Sequence, residues 1–140
     1  MNAFAWIFTM AALGIAETAY LIRSRIVAER PVCPIGGNCA AVLGSTYNRL
    51  LGFVHNDVLG GLFYLAMAVL TALVVIGIGP AGILTRAMIF LASGGSVMSA
   101  ALIFLQWRVI KAWCFWCLMS AGTVFVMAAI LGLKLFLWKS

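Results

Sequence analysis

Four long apolar runs set the rhythm of this chain: Phe4–Ile22, Val58–Gly79, Ile83–Leu105 and Trp113–Leu137, with polar residues gathered between them. Each reaches the roughly 20 residues that cross a bilayer's hydrocarbon core as a helix. None alternates apolar with polar positions as a barrel strand does, and a backbone in lipid must satisfy its own hydrogen bonds, so helices are expected. The pattern predicts an all-α fold: an integral membrane four-transmembrane-helix bundle, with residues 1–140 as one domain. No Lys or Arg precedes the first run, which also outlasts the apolar stretch of a signal peptide, so it reads as a helix. Gly79-Pro80 suits a tight return between the second and third helices. In the third, Ser93-Gly94-Gly95-Ser96 and Ser99-Ala100 offer small side chains for close helix packing.

One connection differs from the rest. Residues 23–57 form a long polar loop, and its part from Cys39 to Leu51 has the spacing of a short amphipathic helix lying at the interface, capping the bundle.

Composition strengthens the membrane reading, since 66% of the residues are hydrophobic and only 9% charged. Soluble domains carry roughly a quarter charged residues. The net charge of +6 does not point to nucleic acid, because the basic residues sit at helix ends rather than in a patch. Counting crossings puts Arg23, Arg25, Arg30, Arg49, Arg108 and Lys111 on one side, and Arg86, Lys134 and Lys139 on the other. By the positive-inside rule this excess makes the first side cytoplasmic, an inverted orientation for disulfide chemistry, with the extracytoplasmic face as the alternative. No separate soluble domain is evident, so a soluble partner would be another chain.

All four cysteines fall on that first side, in two pairs. Cys114-Phe-Trp-Cys117 opens the fourth helix, where two sulfurs three residues apart share a face within disulfide reach and the helix N-terminus favours a thiolate. Cys33-Pro-Ile-Gly-Gly-Asn-Cys39 sits in the polar loop, with Pro34, Gly36 and Gly37 permitting the bend of a small disulfide ring. A loop pair can take electrons from a substrate and pass them to the helix pair by thiol-disulfide exchange. The helix pair then needs an acceptor, and beside Trp113, Phe115 and Trp116, without a flavin or nucleotide motif, a quinone fits. Other readings are a non-catalytic membrane scaffold or metal-binding protein holding zinc or copper on four cysteines, and a pair of static disulfides. Leu118 after the second pair excludes covalent haem, which requires His there.

The order of elements resembles the vitamin K epoxide reductase family across nearly the whole chain. Cys39-Ala-Ala-Val-Leu-Gly-Ser45-Thr-Tyr47, Gly52, Leu59-Gly60-Gly61-Leu-Phe-Tyr64 and Cys114-Phe-Trp-Cys117-Leu118 are similar to its loop, second-helix and active-site motifs. The five residues between Cys33 and Cys39 are similar to prokaryotic stand-alone members rather than animal ones. The other quinone-linked family, of the disulfide bond formation protein B type, has its pairs in the reverse order. The resemblance implies a membrane thiol:quinone oxidoreductase that makes disulfides without a metal. In it Cys33 would exchange with a thioredoxin-like partner, Cys39 would shuttle to Cys114, and Cys117 would reduce a quinone of ubiquinone or menaquinone type. Ser45 would support the site and Asn56 would hydrogen-bond a quinone carbonyl, whereas Ala121 stands where animal members carry a second donor, Tyr.

Two further residues stand out. Glu17 within the first helix should face the bundle or carry a proton, serving a local polar contact or a proton route. His55, the only histidine, reads as interfacial, with proton donation as the alternative. Trp6, Trp107, Trp113, Trp116 and Trp138 lie near helix ends as an aromatic belt.

Overall fold

The structure, a computed structural model, describes residues 3–27, 49–50 and 54–139. Cys33, Cys39 and Ser45 lie outside the described residues, as does most of the expected interfacial helix. Near its end, Arg49–Leu50 (β1) instead pairs antiparallel with Val54–His55 (β2), Arg49 opposite His55 and Leu50 opposite Val54. The helices are α1 (Ala3–Ile26), α2 (Asn56–Ile76), α3 (Ala81–Phe104) and α4 (Phe115–Lys139). All four are long and apolar enough to cross a membrane.

Helix ends follow local chemistry. α1 continues a turn past its apolar run, placing Arg23 and Arg25 in its last turn, where cations complement the helix dipole. α2 stops at Gly77, whose φ of 83° puts it in the left-handed region. The N–H of Gly77 donates to the Val74 carbonyl at 3.3 Å and that of Ile78 to Leu73 at 3.0 Å, a Schellman closure. Pro80 then starts α3, its carbonyl accepting from Ile83 and Leu84. Residues 106–111, expected as a plain link, instead extend α3 as a π-helical segment, Leu105–Ile110, ended by Lys111 in the left-handed region. The wider turn buries Gln106 while Trp107 and Arg108 face outward, the guanidinium stacked 4.6 Å from the indole centroid.

α1 packs chiefly on α2 and α3 on α4, and contacts of α2 with α3 and of α1 with α4 close the ring. Each helix contributes to one core: Ile7 and Ala11, Tyr64 and Met67, Met88 and Ala92, then Val124, Met127 and Leu131. Large side chains also point outward, among them Phe90, Val97 and Phe136, as a lipid-facing surface requires. Lipid supplies no hydrophobic push between helices, so close fit carries the association. The tightest fit is Gly14 under the ring of Tyr64, where a Cβ would overlap ring carbons. Gly95 is similarly enclosed, its Cβ direction meeting Phe63 at 3.1 Å and Val124 at 3.2 Å. Gly94 meets nothing within 4 Å and Ser93 is exposed, so only part of the small-residue stripe of α3 serves packing within the bundle.

Candidate active site

Cys114 is the N-cap of α4 rather than a residue of its first turn. Its carbonyl accepts the first helical bond, from Leu118 N at 3.0 Å, and its Sγ accepts from the N–H of Cys117 at 3.4 Å. A sulfur thus occupies the place where Ser or Asp oxygens satisfy the free donors of a helix start. Both Cys114 and Cys117 are free thiols. The Cys117 thiol hydrogen-bonded to its sulfur holds Cys114 below the ordinary thiol range, helped by the N–H groups of Cys117 and Trp116 and opposed by burial. Cys114 is therefore the more acidic thiol of the pair.

Cys114 has no solvent exposure and sits among Ile110, Ala112, Phe115, Trp116 and Cys117. Its own backbone N–H, buried with it, donates to Gln106 Oε1 at 2.9 Å. The π-helical turn makes this bond, because it brings Gln106 inward eight residues before the cysteine. A polar residue at the end of an apolar run was the available signal for Gln106; its target was not readable.

Beside Cys117 lies a cavity of about 80 Å³. Leu21, Leu102, Ile103 and Trp116 give it apolar walls, while Asn56, Gln106 and Ser120 bring polar groups. Of the residues expected near a quinone, Asn56 and Trp116 line this cavity, and Trp113 and Phe115 do not. Trp116 is held by Tyr20 of α1, ring centroids 4.9 Å apart, and by Phe115 at 5.5 Å. Trp113 is exposed, as are Trp6 and Trp107. Ala121 lines the cavity without offering a donor. Cys33, Cys39 and Ser45 lie outside the described residues, so the structure brings together only the helix pair.

Two polar connections that sequence reasoning missed flank the site. Asp57 accepts from Arg25 Nε at 3.1 Å and Nη2 at 3.4 Å, tying the end of α1 to the start of α2 across the base of the cysteine loop. Asp57 also lines the cavity. Deeper in, the Tyr64 hydroxyl pairs with Ser120 Oγ at 2.7 Å and donates to the Ser120 carbonyl at 3.0 Å. Glu17 faces the bundle as expected, only 4% exposed, within electrostatic reach of Tyr64, Cys114 and Cys117. His55 precedes α2 as its N-cap residue, half-buried. Among the described residues no group of three or more His, Cys, Asp or Glu side chains is placed to hold a metal ion.

The chain matches the model of the vitamin K epoxide reductase family over residues 5–131. No curated protein matches the chain significantly.

Proposed function

This chain belongs to the vitamin K epoxide reductase family, and on that premise we propose an electron path through its four cysteines. Membership carries the reaction class, oxidation of thiols coupled to reduction of a quinone, in a multi-pass membrane protein. In the proposed path a thioredoxin-like partner of the prokaryotic setting loses two thiol hydrogens and becomes a disulfide. Its electrons pass to Cys33 and Cys39, from Cys39 to Cys114, and from the Cys114/Cys117 pair to a quinone of ubiquinone or menaquinone type. Each exchange breaks one disulfide and forms another, so two electrons and two protons travel together. Ser45 is assigned a supporting role near the loop pair. The cysteine-bearing face is taken as cytoplasmic, on the charge asymmetry.

The observation that carries this reading is the division of labour between the helix cysteines. Cys117 lines the cavity, while Cys114 is wholly buried behind it as the more acidic thiol of the pair. A folded partner cannot reach a sulfur with no exposure, which supports a loop cysteine as intermediary. The cavity suits a quinone edge. It is about 80 Å³, roughly half the ~150 Å³ that accommodates a benzene ring, so it admits the leading edge of the ring and leaves an isoprenoid tail outside. The Asn56 and Gln106 amides would hold the carbonyls and Trp116 would flank the ring. A bound quinone supplies the two-electron acceptor.

In detergent, the protein should oxidise a reduced thioredoxin-like substrate with a short-chain quinone, and Cys114→Ala should abolish turnover. Retained turnover in that variant refutes the path, and stoichiometric bound metal with unreactive thiols would support a four-cysteine metal site instead. Cys39→Ala should trap a mixed disulfide between Cys33 and the partner, identified by mass. A reporter fused after Pro31 and active only outside the cell would overturn the cytoplasmic assignment.

A further inference from the structure

We propose that Glu17 is the proton reservoir of the redox pair, releasing its proton to the quinone site through Tyr64 and Ser120 when the cysteines are oxidised. This rests on the quinone-reduction reading above and adds to it the source of a proton.

Glu17 is anomalous on geometry alone. It is 4% exposed inside a membrane helix, and neither carboxyl oxygen has a partner at full hydrogen-bond geometry, although the Ser120 backbone N–H lies close enough to act on it. The ion pair found among the described residues belongs to Arg25 and Asp57, so no described cation pairs with Glu17. A buried carboxyl with one weak donor and no paired cation favours the neutral acid. Such a group is costly to keep in a helix that needs only apolar contacts, yet it lies beside the redox cysteines.

Proton accounting at the cysteines explains why one is needed. When Cys114, whose sulfur accepts from the Cys117 N–H at 3.4 Å, reacts as a thiolate, the reduced pair holds two electrons for transfer but only one of the two protons, on Cys117. The second proton that the quinol needs must come from another group. The titratable groups facing this point are Tyr64 from α2, Cys114 and Cys117 at the start of α4, and Asp57 at the start of α2. Asp57 is committed to Arg25, and the Tyr64 hydroxyl to Ser120. Among the described residues, Glu17 is the carboxyl left over.

The route follows the same contacts. Tyr64 lies within electrostatic reach of Glu17, its hydroxyl is 2.7 Å from Ser120 Oγ, and Ser120 lines the cavity next to Cys117. On oxidation the Cys114–Cys117 bond forms and two electrons leave to the quinone. The Cys117 S–H and Glu17 O–H bonds break, and their protons end on the two quinone oxygens, giving the quinol. Glu17 is left as a buried, unpaired carboxylate, an unfavourable state that favours its recharging. When the loop dithiol reduces the helix disulfide, one of its protons goes to Cys117 and the other to Glu17.

The test uses the purified full chain in detergent, with infrared difference spectra between the reduced and oxidised protein and single-turnover oxidation of the pre-reduced pair by a short-chain ubiquinone. Only three side-chain carboxyls exist, Glu17, Glu29 and Asp57, so assignment is direct. Wild type should show a protonated-carboxyl C=O band when reduced that is lost on oxidation, and Glu17→Gln should lack it. Oxidation of Glu17→Gln should slow about a hundredfold and of Tyr64→Phe about tenfold, the latter keeping the band. A wild-type rate in Glu17→Gln, or a carboxyl band unchanged between states, overturns the proposal; a wild-type rate in Tyr64→Phe overturns the route. If Glu17→Gln fails to fold, the wild-type spectrum still decides. If wild type is not oxidised by quinone at all, the quinone reading falls, and the band, followed with oxidised glutathione as the oxidant, tests Glu17 by itself.

Discussion

Replacing Gln106 with Leu should open the site around Cys114 without touching either cysteine. The Cys114 N–H is buried with the rest of its residue and has the Gln106 carbonyl oxygen as acceptor at 2.9 Å. Leaving such a donor unsatisfied costs about 1–3 kcal/mol. Leu removes a buried amide at the same time and fills similar volume, which offsets part of the loss. The net cost to the closed state of this turn is then about 1–2 kcal/mol, a factor of roughly 5–30 in its equilibrium with an open one. Because Cys114 is unexposed when closed, its alkylation reports the open population. With Cys117→Ala as background, so that only Cys114 among the helix cysteines reacts, Gln106→Leu should raise the alkylation rate by that same factor, read by peptide mass. Gln106→Glu keeps an acceptor oxygen and should stay nearer the parent rate. The reasoning fails if Gln106→Leu alkylates no faster than its parent, or if Glu at this position opens the site as much as Leu does.

Three other expectations follow from the packing and charges. Gly14→Ala drives a methyl into the Tyr64 ring, so it should cost at least about 1–3 kcal/mol in detergent unfolding; an unchanged midpoint would mean that the helices separate freely here. Asp57→Asn should destabilise by about 1–2 kcal/mol, less than for a fully buried pair because the Arg25 side chain is 35% exposed, and a double-mutant cycle with Arg25→Gln should show the losses coupled. The lowered Cys114 pKa makes the reduced protein gain stability as pH rises from the folded value toward the ordinary thiol value near 8.5. Thiolate ultraviolet absorbance should therefore appear below that ordinary value in wild type and move upward in Cys117→Ala, which removes the main hydrogen bond responsible; thiolate appearing at the same pH in both would show that Cys117 is not its cause.

How much of this was legible from residues alone divides by range. The four helices follow from run length, the turn at Gly79-Pro80 from two residues, and the position of Cys114 and Cys117 at a helix start from the edge of the last apolar run. Which face of each helix turns inward does not follow. In a soluble helix the polar side marks solvent, but lipid and protein core are equally apolar, so the sequence pattern hardly distinguishes Phe90, facing lipid, from Met88, fully buried. Arg25 with Asp57, 32 positions apart, and Tyr64 with Ser120, 56 apart, meet only through that unreadable rotation. Gln106 was hidden for a different reason. Continuing an ordinary helix or stopping it at Leu105 would aim that amide elsewhere, and the π-helical turn has no periodic signature.

The Arg25–Asp57 clasp also has a kinetic meaning. It holds the residues before and after the cysteine loop together at the rim of the cavity, so in the proposed relay the loop cysteines and the helix pair react as parts of one molecule. That transfer is first order, set by an effective concentration that the tether fixes, whereas capture of the partner's thiols is second order and varies with how much partner is present. Dilution would starve the first exchange and leave the internal one untouched. Weakening the clasp would do the reverse, changing the internal rate at every partner concentration.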